Sequence, residues 1–240
     1  MKVEIWSDYV CPFCYIGKRK FELALQRFAN KEQIETVFRS FELDPSADPN
    51  SNVSTYHMLA AKYGMSLEKA KETTVNVAEQ AAAVGLTFNF DGTVSTNTFD
   101  AHRVVHFAAQ HGKEKEVSER LFKAYFTDGE NIGNHGRLAA LAADAGLDAA
   151  SVSEMLETNQ FADAVRGEEE EGRQIGIRGV PFYVVDRKYA VSGAQSPEVF
   201  LDTLNKAWSE KHPDLIQVNE GDSDALCTDG YCVPDSSKSL

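Results

Sequence analysis

Residues 2–17 read KVEIWSDYVCPFCYIG, Lys2 to Gly17, and this stretch decides the fold. Lys2 to Trp6 alternates polar and apolar side chains, with Val3 and Ile5 on one face, the period of a half-buried strand. Ser7 to Val10 makes a short connection, and Cys11 then opens a helix. Pro12 suits the first helical turn, where a missing N–H costs nothing. Cys14, Phe21, Leu25 and Phe28 follow at intervals of seven, four and three, forming one helical stripe. Cys14 is therefore expected to point into the core, and Cys11 to sit at the helix N-terminus. Residues 34–43, IETVFRSFEL, are rich in branched and aromatic side chains and read as a second strand. A strand–helix–strand crossover makes the two strands parallel.

Beyond this unit, residues 44–53 (DPSADPNSNV) break the pattern with two prolines and several turn residues. From about 54 to 175 the sequence is alanine-rich and helical, with helices expected near 54–63, 67–84, 97–111, 114–127, 136–144, 148–156 and 159–174. Residues 88–98 form an irregular crossing. Strand signals return at 182–186 and 189–192, a hairpin joined by Arg187 and Lys188. A last helix begins at Ser196-Pro197, with Phe200, Leu204 and Trp208 as its apolar stripe. The expected class is α/β, in the order β-α-β, a large all-helical insertion, then β-β-α. Its parts are 1–50, an inserted helical domain at 51–175, a closing part at 176–215, and a polar tail at 216–240.

With 240 residues, 42% of them hydrophobic and 25% charged, the chain can bury a substantial core. Basic side chains number 24 against 37 acidic ones, a net charge of −13. That balance opposes binding to nucleic acid or to an anionic membrane surface. No run of apolar residues is long enough to span a bilayer. No secretory signal is visible at the start, so a cytoplasmic location is expected.

The four cysteines form two close pairs, Cys11/Cys14 and Cys227/Cys232, too few for a disulfide scaffold. A thiolate, not a thiol, attacks a disulfide. A helix N-terminus favours the thiolate through unpaired N–H groups and the positive end of the macrodipole. Cys11 is placed to be that acidic, accessible attacker, and Cys14, buried one turn later, to close a disulfide and displace a bound substrate sulfur. Pro12 and Phe13 bring no basic side chain to the pair, so a moderately acidic Cys11 is expected. A second signature is Gly179-Val180-Pro181 directly before the strand FYVVD. Proline cannot donate to a ladder, so Pro181 marks an edge or a special turn.

Four blocks together resemble the DsbA-like thioredoxin family, and within it the FrnE-like cytosolic branch. They are Asp8-x-x-Cys11-Pro12-Phe13-Cys14-Tyr15-Ile16-Gly17, the run Asn97 to Arg103 (NTFDAHR), Gly179-Val180-Pro181-Phe182, and Gly193-Ala194-Gln195. The resemblance spans roughly residues 2–210. It implies a thioredoxin fold with a helical insertion and a cis peptide bond at Pro181 beside Cys11. It also implies that Cys11 attacks and that the Val180 backbone pairs with a substrate strand. Pro12, Phe13, Val180 and Pro181 would then line the substrate, and His102, inside the second block, would face the cleft. Some FrnE-like members carry a C-x4-C pair in a C-terminal extension, which Cys227 and Cys232 match. The chain departs from the pattern at two positions. Thioredoxins and DsbA proteins hold a buried acid six residues before the first cysteine, where this chain has Ile5. Phe13 replaces the histidine that makes DsbA strongly oxidising, so weaker oxidising power is expected. Asp8 is expected to serve the strand-to-helix turn.

The tail pair flanks Thr-Asp-Gly-Tyr, whose Asp-Gly turn can bring both sulfurs within bonding reach. It is expected to relay oxidising equivalents to Cys11 and Cys14; a local tail disulfide without relay and incidental cysteines are the alternatives. All four thiols have zinc-compatible spacing, but Cys14 on an apolar stripe suits a metal site poorly. His102 and His106 share one helix face, yet HRVVH lacks the glutamate a metalloprotease needs. No metal and no cofactor is expected. His57, His111, His135 and His212 read as surface residues, Arg178 as an exposed turn residue with a place beside the Cys11 thiolate as the alternative, and Glu168–Glu171 as a solvated helix face. Tyr63, Phe88, Phe90, Phe107, Phe122, Tyr125 and Phe126 read mainly as helix packing, with an apolar substrate groove as the alternative.

The function expected is thiol–disulfide oxidoreductase, as oxidase, isomerase or reductase, on protein or small thiols and disulfides, as a monomer or homodimer. The rival is a glutathione-dependent isomerase or transferase of the 2-hydroxychromene-2-carboxylate isomerase or kappa-class type. Those enzymes generally carry serine at the first cysteine. A third class is a non-catalytic adaptor using the acidic helical cap.

Overall fold

In the computed structural model, β1 (Lys2–Ser7), α1 (Pro12–Arg27) and β2 (Glu35–Ser40) form the crossover expected from the sequence. The structure describes residues 1–213 and, in the tail, the backbone of Cys227–Thr228 and Tyr231–Cys232. Helices α2 (Thr55–Tyr63), α3 (Leu67–Ala82), α4 (Phe99–Gln110), α5 (Glu114–Lys123), α6 (His135–Asp144), α7 (Ala149–Leu156) and α8 (Ala162–Gln174) follow. The chain then returns through β3 (Phe182–Val185), β4 (Tyr189–Ser192) and α9 (Pro197–Lys211). The sheet order is β2-β1-β3-β4. β1 and β2 are parallel, while β3 runs antiparallel to both β1 and β4. This is a thioredoxin-like α/β fold with a large all-helical insertion.

Alternation along β1 sends its side chains to two different environments. Val3 and Ile5 join Phe21, Ala24 and Phe28 of α1, Tyr183 and Val185 of β3, and Phe200 and Leu204 of α9. Glu4 and Trp6 face the other way, toward α8. Trp6 is fully buried, and its Nε1 donates to the Glu168 carbonyl at 2.9 Å. Gly172, one turn further along α8, leaves room for that ring: a Cβ there would lie 2.9 Å from Trp6 Nε1. Gly172→Ala is expected to destabilise the fold by about 1–3 kcal/mol through overpacking, measured by urea unfolding.

The helical insertion packs its own core around Phe122, Phe126, Leu121, Leu138 and Leu141, continuous with Cys14, Tyr15 and Ile16 of α1. Phe90, Phe107, Phe122, Tyr125 and Phe126 are buried in it, which favours the packing role over a groove; Tyr63 is exposed. A polar clasp fastens α1 to α5. Lys18 Nζ donates to Glu22 and to Glu119 at 2.6 Å each, and Tyr15 Oη donates to Glu119 at 2.6 Å. Burial alone would raise the Glu119 pKa, but Lys18, Tyr15 and Arg19 overcome it and hold the carboxyl at about 2.

Several boundaries differ from the sequence pattern. β2 ends at Ser40 instead of Leu43, because the Leu43 N–H is taken by the Asp8 carboxylate at 2.7 Å instead of a sheet partner. α5 widens into a π-helical turn at Ala124–Asp128 closed by Gly129 in the left-handed region. α8 starts at Ala162, after Phe161 in the left-handed region. Glu168 and Glu169 are not solvated but buried, at 8% and 6% exposure. Glu168 accepts from the Ser40 N–H and Oγ at 2.8 Å each and from Arg39 at 2.8 Å. His106 Nε2 lies 3.1 Å from the same carboxylate.

Candidate functional site

The turn leaving β1 closes with the Cys11 N–H donating to the Asp8 carbonyl at 3.0 Å. Cys11 then caps α1 in an extended conformation, φ −90° and ψ 112°, with Pro12 at the first helical turn. No side chain caps this N-terminus, and no acidic residue lies in its first turn. The positive end of the helix therefore faces Cys11, with no acidic side chain inside the first turn itself. Cys14 follows one turn later. Both thiols are free.

Cys11 is 4% exposed and Cys14 2% exposed. The openly accessible Cys11 expected from the sequence is thus corrected: the loop before β3 lies over it. Cys11 Sγ is 3.6 Å from the Val180 carbonyl oxygen, and the Val180–Pro181 peptide bond is cis, as the family resemblance implied. The Pro181 carbonyl accepts the Gly193 N–H at 2.8 Å, fixing the loop to the turn after β4. Pro181 is buried, Val180 and Pro12 are partly exposed, and Phe13 is 40% exposed. Arg178 is exposed, as are His57, His111, His135 and His212.

Gly17 lets the loop and the helix meet. A Cβ at this position would lie 2.7 Å from Tyr183 Oη and 3.1 Å from Pro181 Cγ. Gly17→Ala is expected to cost about 1–3 kcal/mol by overpacking. Tyr183→Phe removes the oxygen that the new methyl meets, so the double variant is expected to recover part of that loss. Tyr183→Phe alone is expected to be neutral or stabilising, because the buried Tyr183 hydroxyl has no hydrogen-bond partner. Chemical denaturation of the three variants measures this coupling.

Cys14 is surrounded by the start of the fold. The Asp8 N–H donates to its sulfur at 3.5 Å. Burial pushes the Cys14 thiol well above its ordinary pKa, and the neighbouring Cys11 adds to the shift. A buried group of this kind is a poor spontaneous nucleophile, and its pairing with Cys11 separates the two roles chemically.

Asp8 holds more than the turn. Its carboxylate is fully buried; Oδ2 accepts the Leu43 N–H, whereas Oδ1 has no hydrogen-bond partner. His102, 3% exposed, brings its Nε2 to 3.8 Å from that oxygen and donates to the Phe41 carbonyl at 3.2 Å. His102 thus lies beside Asp8 in the interior. The sequence placed His102 near the cleft and left Asp8 as a turn residue. Glu4, next to the expected acid position at Ile5, is also buried, but its carboxylate is occupied by Arg39 at 2.5 Å and by Arg187. It lies on the face away from Cys14.

A cavity of about 410 Å³ lies between β2, α4, α5 and α8, lined by Tyr9, Ser40, His102, His106, Glu114 and Glu168 among others. Among the described residues, no group of three or more His, Cys, Asp or Glu side chains is arranged to hold a metal ion. Among them, too, no helix is long and apolar enough to cross a membrane. Of the tail pair, Cys227 and Cys232, only the backbone is described: they are register partners in a short antiparallel pairing of β5 (Cys227–Thr228) with β6 (Tyr231–Cys232). Their side chains, and the rest of the tail expected at 216–240, lie outside the described residues.

The sequence profile of the family described as "DSBA-like thioredoxin domain" matches residues 2–205. A Bacillus subtilis (strain 168) protein named "Uncharacterized protein YwbO" is 29% identical over 216 residues, covering 87% of this chain and 98% of its own. The crystal structure of probable DsbA oxidoreductase SCO1869 from Streptomyces coelicolor is similar with a TM-score of 0.84 and 42% identity. That match covers 98% of this chain and 99% of the other. Cytosolic disulfide reductase DsbM from Pseudomonas aeruginosa shares the fold, with a TM-score of 0.62 at 15% identity over 88% of this chain and 100% of its own.

Proposed function

Since the chain belongs to the DSBA-like thioredoxin domain family, we propose that it is a thiol–disulfide oxidoreductase working through Cys11 and Cys14. One observation carries this reading. Two free thiols sit one turn apart at an uncapped helix N-terminus, the first 3.6 Å from the carbonyl that precedes a cis proline.

In the reducing direction, the Cys11 thiolate attacks one sulfur of a substrate disulfide. A Cys11–substrate disulfide forms, and the other substrate sulfur leaves as a thiolate. Cys14 then attacks Cys11 Sγ, the Cys11–Cys14 disulfide forms, and the first substrate sulfur leaves. The substrate is reduced by two electrons and the pair is oxidised; oxidation of a substrate dithiol is the reverse sequence. Net direction follows the reduction potential of the pair relative to its partners.

The substrate is a protein or low-molecular-weight thiol or disulfide. Pro12 and the exposed Phe13 flank the attacking sulfur, and Pro181 shapes the loop whose Val180 backbone accepts an extended segment as an added strand. The proposal further assigns the chain to the FrnE-like branch, a cytoplasmic setting and a monomeric or homodimeric state. It casts Cys227 and Cys232 as an auxiliary pair passing oxidising equivalents to Cys11 and Cys14. The relay predicts slower multiple turnover for Cys227→Ser/Cys232→Ser, with single turnover unchanged. Multiple turnover at the wild-type rate removes the relay.

Cys14→Ser tests the core of the proposal. Incubated with glutathione disulfide or a disulfide-bonded peptide, it is expected to accumulate one covalent adduct on Cys11, read by intact mass and peptide mapping. A protein that forms no adduct, or carries it elsewhere, overturns the assignment. A glutathione-dependent isomerase would instead turn over its substrate without a protein mixed disulfide.

A further inference from the structure

We propose that Asp8 is the proton acceptor for Cys14 when the buried thiol attacks the mixed disulfide. This rests on the oxidoreductase function proposed above and supplies the step that function leaves open. Cys14 reacts as a thiolate, and its proton has to go to a base inside the protein. Three neighbours are placed around its sulfur: the Ser7 hydroxyl, Cys11, and Asp8, whose N–H touches it. A neutral hydroxyl is a poor base, and Cys11 is committed to the mixed disulfide. Asp8 alone brings a carboxylate. Glu4 is held by Arg39 and Arg187 on the opposite face of the sheet.

The carboxylate is set up for this work and is not fully used structurally. Oδ2 is spent on the Leu43 N–H. Oδ1 is buried and without a partner, and only two buried side-chain atoms among the described residues are in that condition. Leaving a buried acceptor unpaired costs about 1–3 kcal/mol, and such groups concentrate where chemistry needs them. The same residue touches Cys14 through its backbone N–H at 3.5 Å, so its carboxylate lies one side-chain length from the sulfur, and the proposal carries the proton across that gap on one bridging water. His102, beside Oδ1, also lines the 410 Å³ cavity. The titratable groups around Asp8 are Cys14 from α1, His102 from α4, and Tyr9 and Tyr125 from the surrounding loop and π turn, with Cys11 joined to it through the backbone of the turn.

The step balances. The proton passes from Cys14 Sγ to the Asp8 carboxylate through the water, and the sulfur's electron pair forms the bond to Cys11 Sγ. The Cys11–substrate bond breaks, and the substrate sulfur leaves as a thiolate. In the oxidising direction, protonated Asp8 returns the proton to Cys14 as it leaves. No further oxidant or reductant enters.

The test is Asp8→Asn, which keeps shape and an acceptor for the Leu43 N–H. Two steps are timed by rapid quench with a disulfide-bonded peptide: adduct formation on Cys11 and its resolution by Cys14. Adduct formation is expected to stay within a fewfold of wild type. Resolution at pH 7 is expected to slow about a hundredfold, within the range for a lost general base. The deficit is expected to shrink as pH rises and hydroxide replaces the carboxylate. Resolution at the wild-type rate, or slowed by the same factor at every pH, overturns the proposal. If the variant fails to fold, the wild type still decides: a solvent deuterium isotope effect on resolution is expected, and its absence overturns the assignment. Failure of adduct formation in the wild type would instead sink the underlying function, so the two failures are separable.

Discussion

Cys11→Ser is expected to lose disulfide-exchange activity down to the uncatalysed rate, a drop of roughly a thousandfold or more on the scale of removing a catalytic nucleophile. A serine hydroxyl cannot form the mixed disulfide, and Cys14 cannot replace Cys11. Its sulfur lies under the Asp8 N–H, and burial holds its thiol protonated. The fold should tolerate the change, because Cys11 makes no side-chain cap to α1 and serine is itself a favoured cap. Reduction of insulin disulfides and reactivation of scrambled ribonuclease, with thermal unfolding as the control, measure this. Wild-type activity in a folded Cys11→Ser protein contradicts the assignment.

Glu168→Gln is expected to be the most destabilising of the polar substitutions, by about 3 kcal/mol, or a fall in Tm of roughly 6–12 °C at this chain length. Glu168 ties α8 to the edge strand β2 through Arg39, the Ser40 N–H and the Ser40 hydroxyl, with His106 beside it. Burial by itself would raise the carboxyl, but His106, Arg39 and the Ser40 N–H bring it from 4.5 to about 2. A carboxyl depressed in the folded state contributes stability that is complete above its unfolded value and is lost as pH falls toward the folded one. The gap between wild type and Glu168→Gln is therefore expected to be full above about pH 5, to narrow below pH 4.5, and to close near pH 2. Urea midpoints at pH 7, 4 and 2.5 follow it. A gap that does not change with pH would mean that glutamine fails there through packing instead of charge.

The frame of the molecule was legible because periodicity is local. Val3 and Ile5 on one face of β1, and the stripe from Cys14 to Phe28, report their own burial. The hairpin at 182–192 announced itself through branched residues after Pro181. The motif blocks pointed to Cys11 and the Val180–Pro181 loop together, and the cis bond there is the one the resemblance implied. The buried charge was harder to see. Glu168 and Glu169 look solvated in a run of four acids, yet Glu168 lies three residues after Val165 and four before Gly172, both on the buried stripe of α8. That spacing was a usable signal, overridden by composition. Asp8 stood in the first motif block as a turn residue, but its burial carried no local signal, because its neighbours His102 and Leu43 come from distant parts of the chain. The small exposure of Cys11 was equally hidden, since the Val180 loop that covers it is 169 residues away.

The division of labour between the two sulfurs is tested most directly by timed alkylation of the fully reduced, folded protein, followed by peptide mapping of Cys11 and Cys14. Cys11 should be labelled first, with Cys14 staying unmodified until the protein is unfolded. Equal labelling of both in the folded state, or a Cys11 that reacts only in denaturant, would contradict it.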